Sequence, residues 1–179
     1  MSEHIGFIGT GNMGQPMACN LLHAGFNLSV YDINAVNLAP LVEQGARQAF
    51  RPGDVIEPGG IVITMVPDDA ALKHVTIGED GILARMGSNG VHLSLSTISP
   101  QTSEELAAVY AHQGSTLLGA NVYGRPELAA AQKLAILISG PHQAKERVRP
   151  ILTTLGAPAA PPLLQQTANV TICRSGEVS

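Results

Sequence analysis

Apolar residues in this chain fall into short runs, each broken by glycine or proline and followed by a longer amphipathic stretch. Residues 4–8 predict a strand, and residues 12–25 predict a helix closed by Gly25. A second strand is expected at 28–31, then a helix at 34–44 closed by Gly45. A weak strand at 47–49 and a helical turn near 52–57 follow. Ile61-Val62-Ile63-Thr64-Met65-Val66 reads as a buried strand stopped by Pro67. Residues 68–75 are expected to be helical, with Asp68 or Asp69 as the N-cap. Val91–Leu95 predicts another strand. Ser99 and Pro100 start a clear helix, with Ser at the cap, Pro at the first position and two acids, Glu104 and Glu105, near the first turn. Strands near 115–118 and 134–138 enclose a helix, and a last helix spans 141–155, ended by Gly156.

Strands that alternate with helices imply βαβ units. The expected fold is therefore α/β: a doubly wound, parallel, right-handed sheet of the Rossmann, dinucleotide-binding type. Residues 157–162 break the pattern and read as a linker or a closing strand. This places a domain at 1–163, with 164–179 too short to form another.

The first run ends in a motif. Gly9-Thr10-Gly11-Asn12-Met13-Gly14 is G-x-G-x-x-G, set between a strand and a helix. Gly9 allows a tight turn, Gly11 lets backbone approach a pyrophosphate, and Gly14 lets the helix pack closely on the strand. The N–H groups at the helix start, from Gly11 to Gly14 through Asn12 and Met13, then face the phosphates. Asp32 ends the second strand, eighteen residues beyond Gly14. A carboxylate at that distance accepts hydrogen bonds from both ribose hydroxyls and repels a 2′-phosphate. Ile33, next in the chain, offers no positive charge to a phosphate. NAD is thus expected over NADP. The competing reading makes Asp32 an ordinary polar residue at a strand end.

Composition narrows the field further. The chain has 179 residues, of which 45% are hydrophobic but only 3% aromatic, with no Trp. The core must be aliphatic, as parallel sheets under helices are. The net charge of −4 and the lack of a basic stripe argue against nucleic acid. Cys19 and Cys173 are far apart, so no disulfide framework is expected, and Cys19 reads as a core thiol. The six His residues show no metal-ligand spacing. No signal peptide and no apolar run of membrane-spanning length is visible, which points to a cytoplasmic setting and no membrane partner.

Four stretches resemble the β-hydroxyacid dehydrogenases, the family of 3-hydroxyisobutyrate dehydrogenase and tartronate semialdehyde reductase. Gly6–Leu21 is similar to the family's opening signature well beyond the glycines. Thr64-Met65-Val66-Pro67 resembles the loop that lies along the cofactor. Ser96-Thr97-Ile98-Ser99-Pro100 matches a segment near the nicotinamide and substrate. Residues 119–126 stand where the family binds substrate. The resemblance implies Val66, Pro67 and Thr97 beside the cofactor, and Ser96, Asn121, Tyr123, Gly124 and Arg125 beside a small hydroxy or carbonyl substrate. Physically, Val66 and Pro67 end one strand, and Ser96 and Thr97 the next, at the edge where open α/β sheets bind ligands. Their hydroxyls could hold an amide or a carboxylate; loop polarity and, for Ser99, helix capping are the plainer readings.

The substrate segment departs from the family's Asp-Ala-Pro-Val-Ser-Gly-Gly. Gly119 replaces Asp, Asn121 replaces Pro and Tyr123 replaces Ser. Arg125 could bind a carboxylate in two-pronged fashion or be a surface charge. The family also needs a lysine as general acid and base. Ile172 occupies that position, and Ile cannot move a proton. The family's helical second domain has no counterpart in the residues that follow. These observations suggest a shortened gene product, through a reading-frame change near codon 172, and no catalytic residue is assigned. Three functions remain: hydride transfer on a hydroxy acid or semialdehyde, a dinucleotide-binding module without catalysis, and an imine or other carbonyl reductase with Tyr123 as proton donor. The surface that the second domain would cover is expected to be apolar, which favours association of the chain with itself or a partner.

Overall fold

The structure is a computed structural model that describes residues 3–158. β1 (His4–Ile8) runs into the glycine turn and α1 (Gly14–His23). β2 (Asn27–Tyr31) leads to a 3-10 turn, Ala35–Leu38, and α2 (Ala39–Glu43). β3 (Arg47–Gln48) is followed by a 3-10 turn, Pro52–Val55. β4 (Ile61–Thr64), α3 (Asp69–Ile77), α4 (Leu83–Met86) and β5 (Val91–Ser94) come next. α5 (Pro100–His112), β6 (Thr116–Tyr123), α6 (Pro126–Ala130), β7 (Leu134–Ser139), α7 (His142–Leu155) and β8 (Gly156–Pro158) complete the described chain.

The strands form one sheet in the order β3-β2-β1-β4-β5-β6-β7-β8. The first six are parallel, and the order reverses direction between β1 and β4. This is the doubly wound dinucleotide fold expected from the alternation of elements. Strand residues alternate between the two faces. Phe7, Ile63 and Leu93 join α1, α2, α6 and α7 in one aliphatic core. Ile8 and Val62 join α3, α4 and α5 in the other.

Four expectations need correction. The sheet is not wholly parallel: β7 runs antiparallel to β6. The link between them, residues 124–133, is shorter than the dozen residues a parallel crossover needs. β6 is twice the expected length and reaches Tyr123. The single helix expected at 34–44 is a 3-10 turn followed by a short helix, because Pro40 lacks the N–H that an uninterrupted helix would use. The helix expected at 12–25 begins at Gly14 and ends at His23. Between Asp68 and Asp69, Asp68 is the N-cap of α3, accepting from Ala71 N at 2.8 Å. Residues 156–158 are a closing strand. The expected boundary at 163, residues 164–179, Ile172 and Cys173 lie outside the described residues.

One polar chain crosses the aliphatic core. His92 on β5 is fully buried, with Nε2 2.8 Å from Thr64 Oγ1 and Nδ1 2.7 Å from the Tyr110 hydroxyl. Burial pushes the His92 imidazole down to about 3 and the Tyr110 hydroxyl upward. The unfolded histidine takes up a proton near 6.5 while the folded one does not. This contribution to stability is complete above about pH 6.5 and falls by about 1.4 kcal/mol per pH unit as the pH drops toward 3. His92→Leu strips the buried Thr64 hydroxyl of this partner and the Tyr110 hydroxyl of one of its partners, and should cost about 1–3 kcal/mol in urea unfolding near neutral pH. The variant should also lose less stability than the parent between about pH 6.5 and 4.5; equal slopes would show that His92 is not the group responsible.

Candidate functional site

Three glycines set the turn after β1, each with a different constraint. Gly9 has φ +90°, and a Cβ there would lie 2.2 Å from the Met65 carbonyl oxygen. A Cβ on Gly14 would lie 1.8 Å from the Gly9 carbonyl oxygen and 3.2 Å from Phe7 Cε1. These two positions are closed by the protein itself. Gly11 differs: a Cβ there meets nothing within 4 Å. The turn is packed at both ends and open in the middle. Met13 stands at the N-cap of α1 with no side-chain cap, and Asn12 is exposed. The start of α1 thus carries no side-chain cap, at the positive end of the helix dipole.

Asp32 lies at the end of β2, against this turn. Its Oδ2 accepts from Thr10 N at 2.7 Å and from Thr10 Oγ1 at 3.2 Å. Its Oδ1 accepts from Asn34 N at 2.8 Å and from Asn37 Nδ2 at 3.3 Å. Sequence reasoning singled out the carboxylate but not these partners, which lie up to 22 residues away. Ile33 is 92% exposed beside it, and no lysine or arginine follows in that loop.

On the other side of the turn, the loops after β4 and β5 are tied together. Val66 N donates to Ser96 Oγ at 2.8 Å, and Leu95 N to Thr64 O at 2.8 Å. Ser96 is only 3% exposed, so its hydroxyl oxygen serves the framework. Thr97 and Pro67 are exposed on the same edge, and Val66 is half-buried. Asp69 adds a clasp that the sequence did not reveal. It receives the Ser99 amide at 2.9 Å, the Thr102 hydroxyl at 2.8 Å and the Ser99 hydroxyl. The Ser99 hydroxyl, then the Ser99 amide, hold the Asp69 carboxyl below the usual carboxylate range. Ser99 also caps α5, accepting from Thr102 N at 3.2 Å. Lys73 and Glu105 extend the α3–α5 contact at 2.6 Å.

The substrate candidates separate by height. Gly119 is the last β6 residue paired with β5, opposite Ser94. Asn121, two residues on, is half-buried. Tyr123 lies four residues past Gly119, about 13 Å further along the strand. Tyr123, Gly124 and Arg125 are all exposed there. The glycine turn, Asp32, Val66, Pro67, Ser96 and Thr97 therefore share one edge, with Asn121 at its end and residues 123–125 beyond it. Among the described residues no group of three His, Cys, Asp or Glu side chains could hold a metal ion, and no helix is long and apolar enough to cross a membrane.

Residues 4–173 match the family described as the NAD binding domain of 6-phosphogluconate dehydrogenase. The chain belongs to that family. It is 46% identical over 151 residues to the uncharacterized oxidoreductase YfjR of Bacillus subtilis, covering 84% of this chain and 53% of that protein. It is 39% identical over 152 residues to a 3-hydroxyisobutyrate dehydrogenase of Pseudomonas aeruginosa, covering 85% and 51%. Among solved structures, Psf3 in complex with NADP+ and 2-OPP superposes with a TM-score of 0.79 at 29% identity, over 85% of this chain and 54% of that one. The expected kinship with β-hydroxyacid dehydrogenases is borne out, and the chain spans about half the length of the curated relatives it matches.

The packing predicts different responses at two of these glycines. Gly14→Ala forces α1 off β1 and should lower stability by roughly 1–3 kcal/mol in denaturant unfolding. Gly11→Ala adds a methyl group to open space and should stay within about 0.5 kcal/mol of the parent. Comparable losses at both positions would contradict the packing described here.

Proposed function

We propose that the chain binds NAD along the carboxyl edge of its sheet, as the dinucleotide-holding half of a dehydrogenase acting on small hydroxy acids or semialdehydes. The observation that supports this most is the open space at Gly11 between two glycines that the fold itself closes. A gap lined by main-chain amides at a helix start suits a pyrophosphate. Asp32 lies on one side of it, toward β2, and suits the ribose hydroxyls of the adenosine half. Val66, Pro67 and Thr97 lie on the other side, where the nicotinamide half would follow.

When bound there, a nicotinamide dinucleotide supplies or accepts the hydride. The chain's own contribution is to hold and orient it. The amides of Gly11, Asn12 and Met13 donate to phosphate, and the Asp32 carboxylate accepts from ribose. Thr97 and Asn121 would bind the substrate's polar groups, with Ser96 behind them. Arg125 offers a guanidinium for a carboxylate at the rim. Proton transfer has no donor in this assignment, since Ile172 stands where the resembling enzymes have lysine. That position favours a second reading, in which the chain holds dinucleotide without turnover. An imine or carbonyl reductase would need Tyr123 as donor, and Tyr123 is an exposed residue beyond that edge. A cytoplasmic setting and self-association belong to the same proposal; a monomer in light scattering would remove the latter.

Calorimetric titration with NAD and NADP tests the cofactor. NAD should bind at least about tenfold more tightly, because a 2′-phosphate meets the Asp32 carboxylate with no basic residue to offset it. Asp32→Ala should weaken NAD about tenfold or more and abolish the preference. Gly11→Ala, folded as the parent is, should lose binding of both. Tighter binding of NADP to the parent would refute the role given to Asp32. A turnover assay against 3-hydroxy acids and semialdehydes then separates the enzyme from the binding module.

A further inference from the structure

The loops after β4 and β5 are linked more heavily than a strand pair requires. The ladder ends at Thr64 and Ser94. Beyond it come Leu95 N to Thr64 O, Val66 N to Ser96 Oγ, and then the three donors from Ser99 and Thr102 to Asp69. Asp69 belongs to the first turn of α3, yet it is not the cap of α3; Asp68 is. Its carboxylate is given over to the start of α5 instead. The segment between these bonds, residues 96–98, is thereby held at both ends. Ser96 is pinned at one end and Ser99 at the other, with exposed Thr97 between them.

The place of this segment matters. The strand order puts Asp32 on the β2 side of the glycine turn and residues 96–98 two strands away on the opposite side. A dinucleotide whose adenosine lies at Asp32 and whose pyrophosphate lies at the turn extends its other half over β4 toward β5. We propose that Asp69 is a positioning residue for the nicotinamide half: by clasping Ser99 and Thr102 it fixes residues 96–98 where that half comes to rest. The inference rests on the dinucleotide reading above and adds a division of labour. Asp32 and the glycine turn hold the adenosine and pyrophosphate; the Asp69 clasp shapes the nicotinamide end alone.

The probes are NADH, which carries the nicotinamide, and ADP-ribose, which lacks it. Both are titrated by calorimetry into the full chain and Asp69→Ala, with NADH emission recorded as a direct signal from the nicotinamide. Asp69→Ala should weaken NADH about tenfold and reduce its emission change, while ADP-ribose stays within about twofold of the parent. Thr102→Val, which removes one of the three donors and keeps the Ser99 pair, should shift NADH the same way by a smaller factor. It also carries the test if Asp69→Ala does not fold. Equal losses for NADH and ADP-ribose would mean that Asp69 acts on stability alone and would overturn the proposal, as would no loss for either. A parent chain that binds neither ligand would instead overturn the dinucleotide reading itself.

Discussion

The contact between α1 and β1 governs the carboxyl edge of this protein. The Gly14 backbone lies so near the Gly9 carbonyl that a single methyl group would overlap it. That closeness draws the first turn of α1 over the strand ends and points its amides along the edge. It also fixes Gly9 against Met65, and through Met65 the start of the loop after β4. Asp32 braces the same turn from the β2 side through Thr10. Three strand ends are thus brought into register by one helix start, and the neighbouring loops take their positions from it.

Two polar systems then hold α5, one joining it to β4 and β5 and the other to α3, and their environments make them opposites. The Thr64–His92–Tyr110 chain is buried, so its histidine stays neutral and its cost or benefit is set by desolvation. The Asp69–Ser99–Thr102 clasp lies at the surface, so it keeps a full charge and each bond in it is weakened by water. One fixes α5 against the sheet in depth, and the other fixes its first turn at the rim. Together they leave the loop after β5 little freedom, although that loop has no regular secondary structure.

Much of this was legible in the sequence because the causes are local. Gly9, Gly11 and Gly14 sit within six residues, and Gly9 and Gly14 answer steric demands of the fold that the motif alone expresses. The Ser99-Pro100 helix start was equally plain. What escaped depends on partners far along the chain. Asp69 looked like an alternative N-cap because nothing near it in sequence shows that Ser99 and Thr102 will stand opposite. The bond from Val66 N to Ser96 is out of sight in the sequence because it exists only once β4 and β5 are neighbours. The direction of β7 turned on the length of one connection rather than on any hydrophobic pattern. The helix expected at 34–44 breaks at Pro40, whose missing N–H outweighs the hydrophobic periodicity around it.

The sheet's twist has a consequence for any ligand that spans its edge. Neighbouring strands are rotated by about 20–25° in a fixed sense. Four steps separate β2, which ends at Asp32, from β6, which carries Asn121. The two strand directions therefore differ by roughly 80–100°. The rim between them therefore curves rather than running straight. A molecule in contact with both ends must bend along it, and a stiff rod of the same length would touch one end only. This curvature belongs to the backbone alone, before any side chain is considered.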